Sequence, residues 1–155
     1  MRKHFFLISL ILLSAACNRP GPSPAAALPE NASYNRQLAV AGNILHVQVV
    51  SSAADMENGL SGRTFMAEDQ GMLFEFSGPD TPEFWMKKMK FNLDLIWISG
   101  GKVLAITPNV PAPTSASSSL PIYVPPRPID QVLEVNAGWS AAKHIKTGDE
   151  VRLIN

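Results

Sequence analysis

Two apolar runs on either side of a glycine pair, Leu93–Ser99 and Lys102–Val110 around Gly100-Gly101, most narrowly limit what this chain can fold into. Glycines supply the positive φ that a tight hairpin turn needs, so "LDLIWIS" and "KVLAITPNV" read as two strands of one hairpin. Short strands recur along the chain. "NILHVQVVSS" alternates Ile44, His46 and Gln48 against Leu45, Val47 and Val49, which is the period of a half-buried strand. "GMLFEF" sets Met72, Phe74 and Phe76 opposite Leu73 and Glu75, "SGPDTP" turns the chain, and "FWMKKM" resumes it as a further strand. "QVLEVNAG" and "TGDEVRLI" complete the series. Helical spacing is confined to two places. In "SAADMENGLSGRTF" Asp55 is placed to cap, Met56 and Leu60 share a face, and Gly59 and Gly62 end the helix; "WSAAKHI" is the second. Seven or so short strands with two short helices predict a mainly β domain, either a sandwich or a partly closed barrel.

Between Thr107 and Asp130 lie seven of the thirteen prolines together with "TSASSS". Proline cannot donate to a strand ladder, so this stretch is expected to be one long loop.

The chain opens with "MRKHFFLISLILLSAAC". Arg2 and Lys3 precede an apolar stretch, Phe5 to Leu13, that is shorter than the roughly twenty residues a membrane span needs. Residues 1–16 therefore read as a signal peptide. Two cleavages compete. Ser14, Ala15 and Ala16 before Cys17 resemble a bacterial lipoprotein signal, in which Cys17 is acylated and becomes the mature N-terminus; the same small residues also suit an ordinary cut. Ser14 stands where a lipobox carries leucine, with Leu13 one place further back. The lipid reading is preferred because Cys17 is the only cysteine, and an exported thiol without a partner is otherwise unexplained. Residues 17–36, rich in Pro and Ala, then form a tether, and residues 37–155 a domain in the periplasm or extracytoplasmic space. Attachment to the membrane is expected through lipid on Cys17 and not through a basic surface.

Several function classes are unsupported. Lys and Arg total 13 against 13 Asp and Glu, with no basic run or basic-aromatic patch for nucleic acid. Within the exported part His46 and His144 are far apart in sequence, so neither a metal site nor a cofactor is expected. There is no G-x-S-x-G motif for a nucleophile, and Lys102 after Gly100-Gly101 opens a strand, not the helix of a phosphate loop. No catalytic residue is assigned.

Taken in order, "GLSGR" (59–63), "QGMLFEF" (70–76), "FWMK" (84–87), "LDLIWI" (93–98), "VLEVNAG" (132–138) and "GDEV" (148–151) resemble the bacterial and archaeal DUF192 family. The resemblance implies a small β-rich fold, often exported, with no established activity. Lys88 and Met89 stand where the family usually has Asn and Thr, and Asn92 where it has Pro; Trp85, Lys87 and Asp94 match.

"FWMKKMKFNLDLIWIS" then raises a chemical question, because it places lysines and an acid in an apolar segment. If its two strands pair so that Lys87 lies opposite Asp94 and Trp85 opposite Ile96, one face carries an ion pair beside an indole. With Arg63 as a bidentate clamp and Tyr123 from the proline-rich loop, that face would hold a small ligand, anionic or sugar-like. The same pair also reads as a structural device that fixes strand register, with Trp85 and Trp139 as core and Arg63 and Glu134 at the surface. Two alternatives stand beside a binding module. One is a cell-envelope hydrolase using Asp94 or Glu134 as acid or base; the other is a scaffold that contacts a partner protein.

Overall fold

A computed structural model describes residues 34–114 and 119–154. The expected signal peptide, Cys17 and nearly all of the tether lie outside the described residues. The elements are β1 (Arg36–Val40), β2 (Asn43–Val50), α1 (Ala53–Asn58), β3 (Gln70–Asp80), β4 (Leu93–Ser99), β5 (Lys102–Val110), β6 (Ile129–Asn136), α2 (Trp139–Ala142) and β7 (Val151–Ile154).

All seven strands belong to one sheet in the order β5-β4-β6-β3-β2-β1-β7. Neighbours run antiparallel except β2 and β3, which are parallel and are joined through α1. A parallel pair cannot be linked by a tight turn, so the chain must cross over between them, and α1 with the loop after it makes that crossover. The sheet curls until its edge strands touch: Lys102 bridges Glu150, and Val151 N–H donates to the Gly101 carbonyl at 2.8 Å. Of the two architectures the sequence left open, the partly closed barrel is the one formed.

Alternation divides the apolar residues between two layers. Leu38, Leu45, Leu73, Ile96, Val103, Leu133 and Val151 belong to one cluster that draws on all seven strands and is closed by Trp139 and Ile145. Met72, Phe74, Leu95, Trp97 and Val132 form the other, covered by Leu60, Met66, Met86 and Met89 from the connecting loops. A strand buried on both faces has no polar side to show, which is why "LDLIWIS" is apolar almost throughout.

Several expectations are corrected. Phe84–Met89 is not a strand. Phe84 makes only an isolated bridge to Tyr123, through mutual N–H···O bonds of 2.9 and 2.8 Å, and the chain then turns with Lys88 at φ +60°. The missing strand is replaced by β1, which pairs with β2 across the Ala41-Gly42 turn, where both residues have positive φ. α1 is capped by Ser52, whose hydroxyl accepts from Asp55 N–H at 3.2 Å, and not by Asp55. β5 runs through Pro108 to Val110, as the hairpin reading of "KVLAITPNV" has it, so the loop expected from Thr107 starts only after Val110. Pro108 is accommodated because β5 is an edge strand and its register to β4 shifts there, Leu93 facing Val110 but Leu95 facing Thr107.

Candidate functional site

Asp94 is fully buried in β4, and every hydrogen bond it accepts is structural. Its Oδ1 accepts from Asn109 N–H at 2.9 Å and Gly138 N–H at 3.1 Å; its Oδ2 accepts from Ser140 N–H at 3.0 Å and the Ser140 hydroxyl. The shift in β5 register turns Asn109 (φ +53°) so that its N–H meets the carboxylate. Gly138 has no side chain with which to cap α2, and Asp94 fills that role from a distant strand. Burial on its own would raise the Asp94 pKa; the hydrogen bonds, led by the Ser140 hydroxyl, more than cancel that and hold the carboxyl below its usual range.

This arrangement removes the expected Lys87–Asp94 pair. The neighbours of β4 are β5 and β6, and Asp94 stands opposite Val135. Lys87 is exposed on the turn after Phe84, where its carbonyl accepts from the Ser61 hydroxyl at 2.9 Å. Nor can Asp94 and Glu134 act together as a carboxylate pair. Glu134 is opposite Leu95, one residue out of step with Asp94, so the two point to opposite faces of the sheet.

Glu134 was expected at the surface, yet it is only 6% exposed. Gln48, Met72, Glu134 and Leu95 form one row across β2, β3, β6 and β4. Among the described residues, none donates a hydrogen bond to its carboxyl. Burial pushes its pKa up to about 8, against the opposing pull of the nearby Arg63 charge. At neutral pH it therefore carries a proton it can donate. A signal for this burial was available. "IDQVLEVN" is apolar at both Val132 and Leu133, as a strand covered on both faces must be, so a glutamate within it could not point to water.

Over Glu134 lies a cavity of about 210 Å³, walled by Phe74, Phe76, Phe84 and Trp85, with Met56, Leu60 and Met89 alongside. The wall is held by edge-to-face contacts, with ring centroids 5.1 Å apart for Phe74–Phe84 and 5.6 Å for Phe84–Trp97. Trp85 is 39% exposed, so it stands at the rim and not in the core. Tyr123 is half-buried outside the lining and fixes Phe84 through the isolated bridge. Arg63 is not in the lining. Its guanidinium donates to the Tyr34 hydroxyl at 2.6 Å and to Gln48 Oε1, and stacks 5.6 Å from the Tyr34 ring centroid. Of the five residues expected to form a ligand face, the structure thus puts only Trp85 in the lining, leaves Tyr123 outside it paired with Phe84, sets Arg63 to the side of Glu134, and places Lys87 and Asp94 elsewhere. Among the described residues no three His, Cys, Asp or Glu side chains converge as a metal site.

The family model DUF192, described as "Uncharacterized ACR, COG1430", matches residues 36–153, from the start of β1 into β7. The chain belongs to the DUF192 family. Two solved structures resemble this DUF192 domain, each with a TM-score of 0.68. One is a protein of unknown function from Novosphingobium aromaticivorans DSM 12444, 27% identical, with the match covering 75% of this chain and 83% of that one. The other, from Sinorhizobium meliloti 1021, is described as a candidate transcription regulator; it is 29% identical, with 76% of this chain and 92% of that one covered. No curated protein matches the DUF192 chain.

Proposed function

We propose that this DUF192 protein is an exported, lipid-anchored binding module that holds a small ligand in the cavity over Glu134. One observation carries the binding part: a buried carboxyl with no hydrogen-bond donor among the described residues faces an open space walled by aromatic rings. The carboxyl is not sealed from the cavity, so a guest can reach it, and a hydrogen bond to a charged group contributes about 1.5–3 kcal/mol. A volume near 210 Å³ is below the roughly 300–1,000 Å³ of drug-sized sites, which favours a compact ligand or the head of a longer one. Trp85 and Phe84 supply the apolar contact, Tyr123 fixes the wall, and the charge of Arg63 tunes the acid from the side. Export and anchoring rest on the leader and on Cys17, whose acyl chain would hold the domain at the membrane through the tether.

A hydrolase is less well supported. Asp94 has its oxygens occupied by four donors, and Glu134 faces away from it. The binding reading is tested by thermal-shift screening of the purified protein with compact polar fragments. True occupants stabilise by mass action and lose their effect in Trp85→Ala and Glu134→Leu variants. Hits that survive both substitutions would place the site elsewhere. Intact-mass analysis of the membrane fraction tests the anchor: an N-terminal Cys17 bearing acyl chains is expected, and a soluble mature chain with a bare thiol would overturn it.

A further inference from the structure

The composition of the cavity narrows the ligand. Phe74, Phe76, Phe84 and Trp85 present ring surfaces, and the acids Glu57, Glu83 and Glu134 also line it. No lysine, arginine or histidine does so, and Arg63, whose charge reaches Glu134 from outside the lining, gives one N–H to Tyr34 and one to Gln48. Asn58 and Ser61 also line the cavity and are neutral, so an anion entering here would meet three carboxyl groups and the negative faces of aromatic rings with no cationic side chain in the wall to offset them. A cation would be attracted by both, since a ring quadrupole favours positive charge over its face, most strongly for tryptophan. We infer that the ligand of the Glu134 cavity is a compact organic ammonium cation. This rests on the binding reading above and goes further by naming the chemical class.

The recognition would divide between depth and rim. Glu57 and Glu83 are exposed at the mouth, where they draw in positive charge at long range. Glu134 is buried at the floor and supplies the partner charge. The neighbours in its row, Gln48, Met72 and Leu95, are uncharged; the charged groups around it are Arg63, Glu57 and Glu83, with Lys87 and Lys88 on the adjoining surface beside Glu57. Below about pH 8 Glu134 holds a proton, and a cation beside it displaces that proton to solvent. One proton leaves for each ammonium bound, and the total charge balances. Affinity then rises with pH, by up to about tenfold per pH unit, and levels off above the Glu134 titration.

The probes are choline and the uncharged alcohol in which carbon replaces its nitrogen, titrated into the full-length protein in a non-ionic detergent. The Trp85 indole resonance is the readout. Choline is expected to shift it saturably, with affinity rising between about pH 6 and pH 8, while the carbon isostere binds at least tenfold more weakly. Glu134→Gln should abolish the pH dependence. Trp85→Ala, at an exposed position that does not threaten folding, should weaken choline more than the isostere. Equal binding of both probes at Trp85 would overturn the inference and leave the cavity a ligand site. Failure of both to move Trp85 would remove the site itself. A free amine and a lipid headgroup present the same ammonium; phosphatidylcholine vesicles shifting Trp85 below the free-choline requirement would assign the headgroup.

Discussion

Asp94 and Ser140, separated by 46 residues in sequence, form the joint between the middle of the sheet and α2: one carboxylate oxygen accepts both the Ser140 N–H and its hydroxyl. The match of Asp94 to a family motif is thereby explained by architecture and not by chemistry on a ligand.

Removing this acid leaves the N–H groups of Asn109, Gly138 and Ser140 buried or half-buried without their acceptor. Asp94→Ala is expected to lower stability by about 3 kcal/mol or more, and Ser140→Ala by about 1–2 kcal/mol. Because the folded pKa lies below the unfolded one, the Asp94 contribution is complete above the usual carboxylate range and is lost as the solution is acidified through it. Urea denaturation across acid pH measures both effects.

Glu134 has the opposite sign. Its folded pKa of about 8 exceeds the ordinary 4.5, so the folded state keeps a proton that the unfolded chain releases. The protein is therefore expected to lose stability as pH climbs from about 4.5 to about 8, by several kcal/mol as an upper bound, and to level off above. In Glu134→Gln the slope should vanish and the melting temperature at pH 8.5 should exceed that of the wild type. Arg63→Met, which removes the opposing charge, should move the Glu134 titration still higher, as read by carboxyl carbon NMR.

Gly71 on β3 pairs with Val135, next to Glu134 on β6. A Cβ built there would lie 2.9 Å from the Glu134 carbonyl oxygen and 3.1 Å from a Leu133 methyl. Backbone cannot retreat as a flexible side-chain tip can. Gly71→Ala is expected to cost about 1–3 kcal/mol and to disturb the cavity floor, seen as a lower denaturation midpoint with a changed Glu134 titration.

Local rules carried much of the fold. The β4–β5 hairpin, β2, β3, β6 and both helices follow from period and turn chemistry within a dozen residues. Period two misled at Phe84–Met89, because a positive φ at Lys88, a residue with no turn preference, breaks the strand without any glycine to announce it. The Lys87–Asp94 pair fell with that strand. Its replacement, a carboxylate capping a helix from another part of the sheet, is a long-range device that spacing cannot reveal. Glu134 was legible in part: the adjacent Val132 and Leu133 mark β6 as covered on both faces, but what covers it depends on β6 lying between β4 and β3, a matter of strand order. Tyr123 reaches the right neighbourhood, but through backbone pairing with Phe84, not as a ligand contact.

Tyr34 lies two residues ahead of β1, and its hydroxyl receives Arg63. A soluble fragment trimmed to begin at Arg36 would keep every strand while discarding this phenol. Arg63 would then keep Gln48 but lose its other hydrogen-bond partner and the ring it stacks on, and the pull its charge exerts on Glu134 would drift with it. Affinities measured on such a fragment would belong to a protein with a different proton inventory, and comparing them with the intact chain would confuse where the gene was cut with what the cavity prefers.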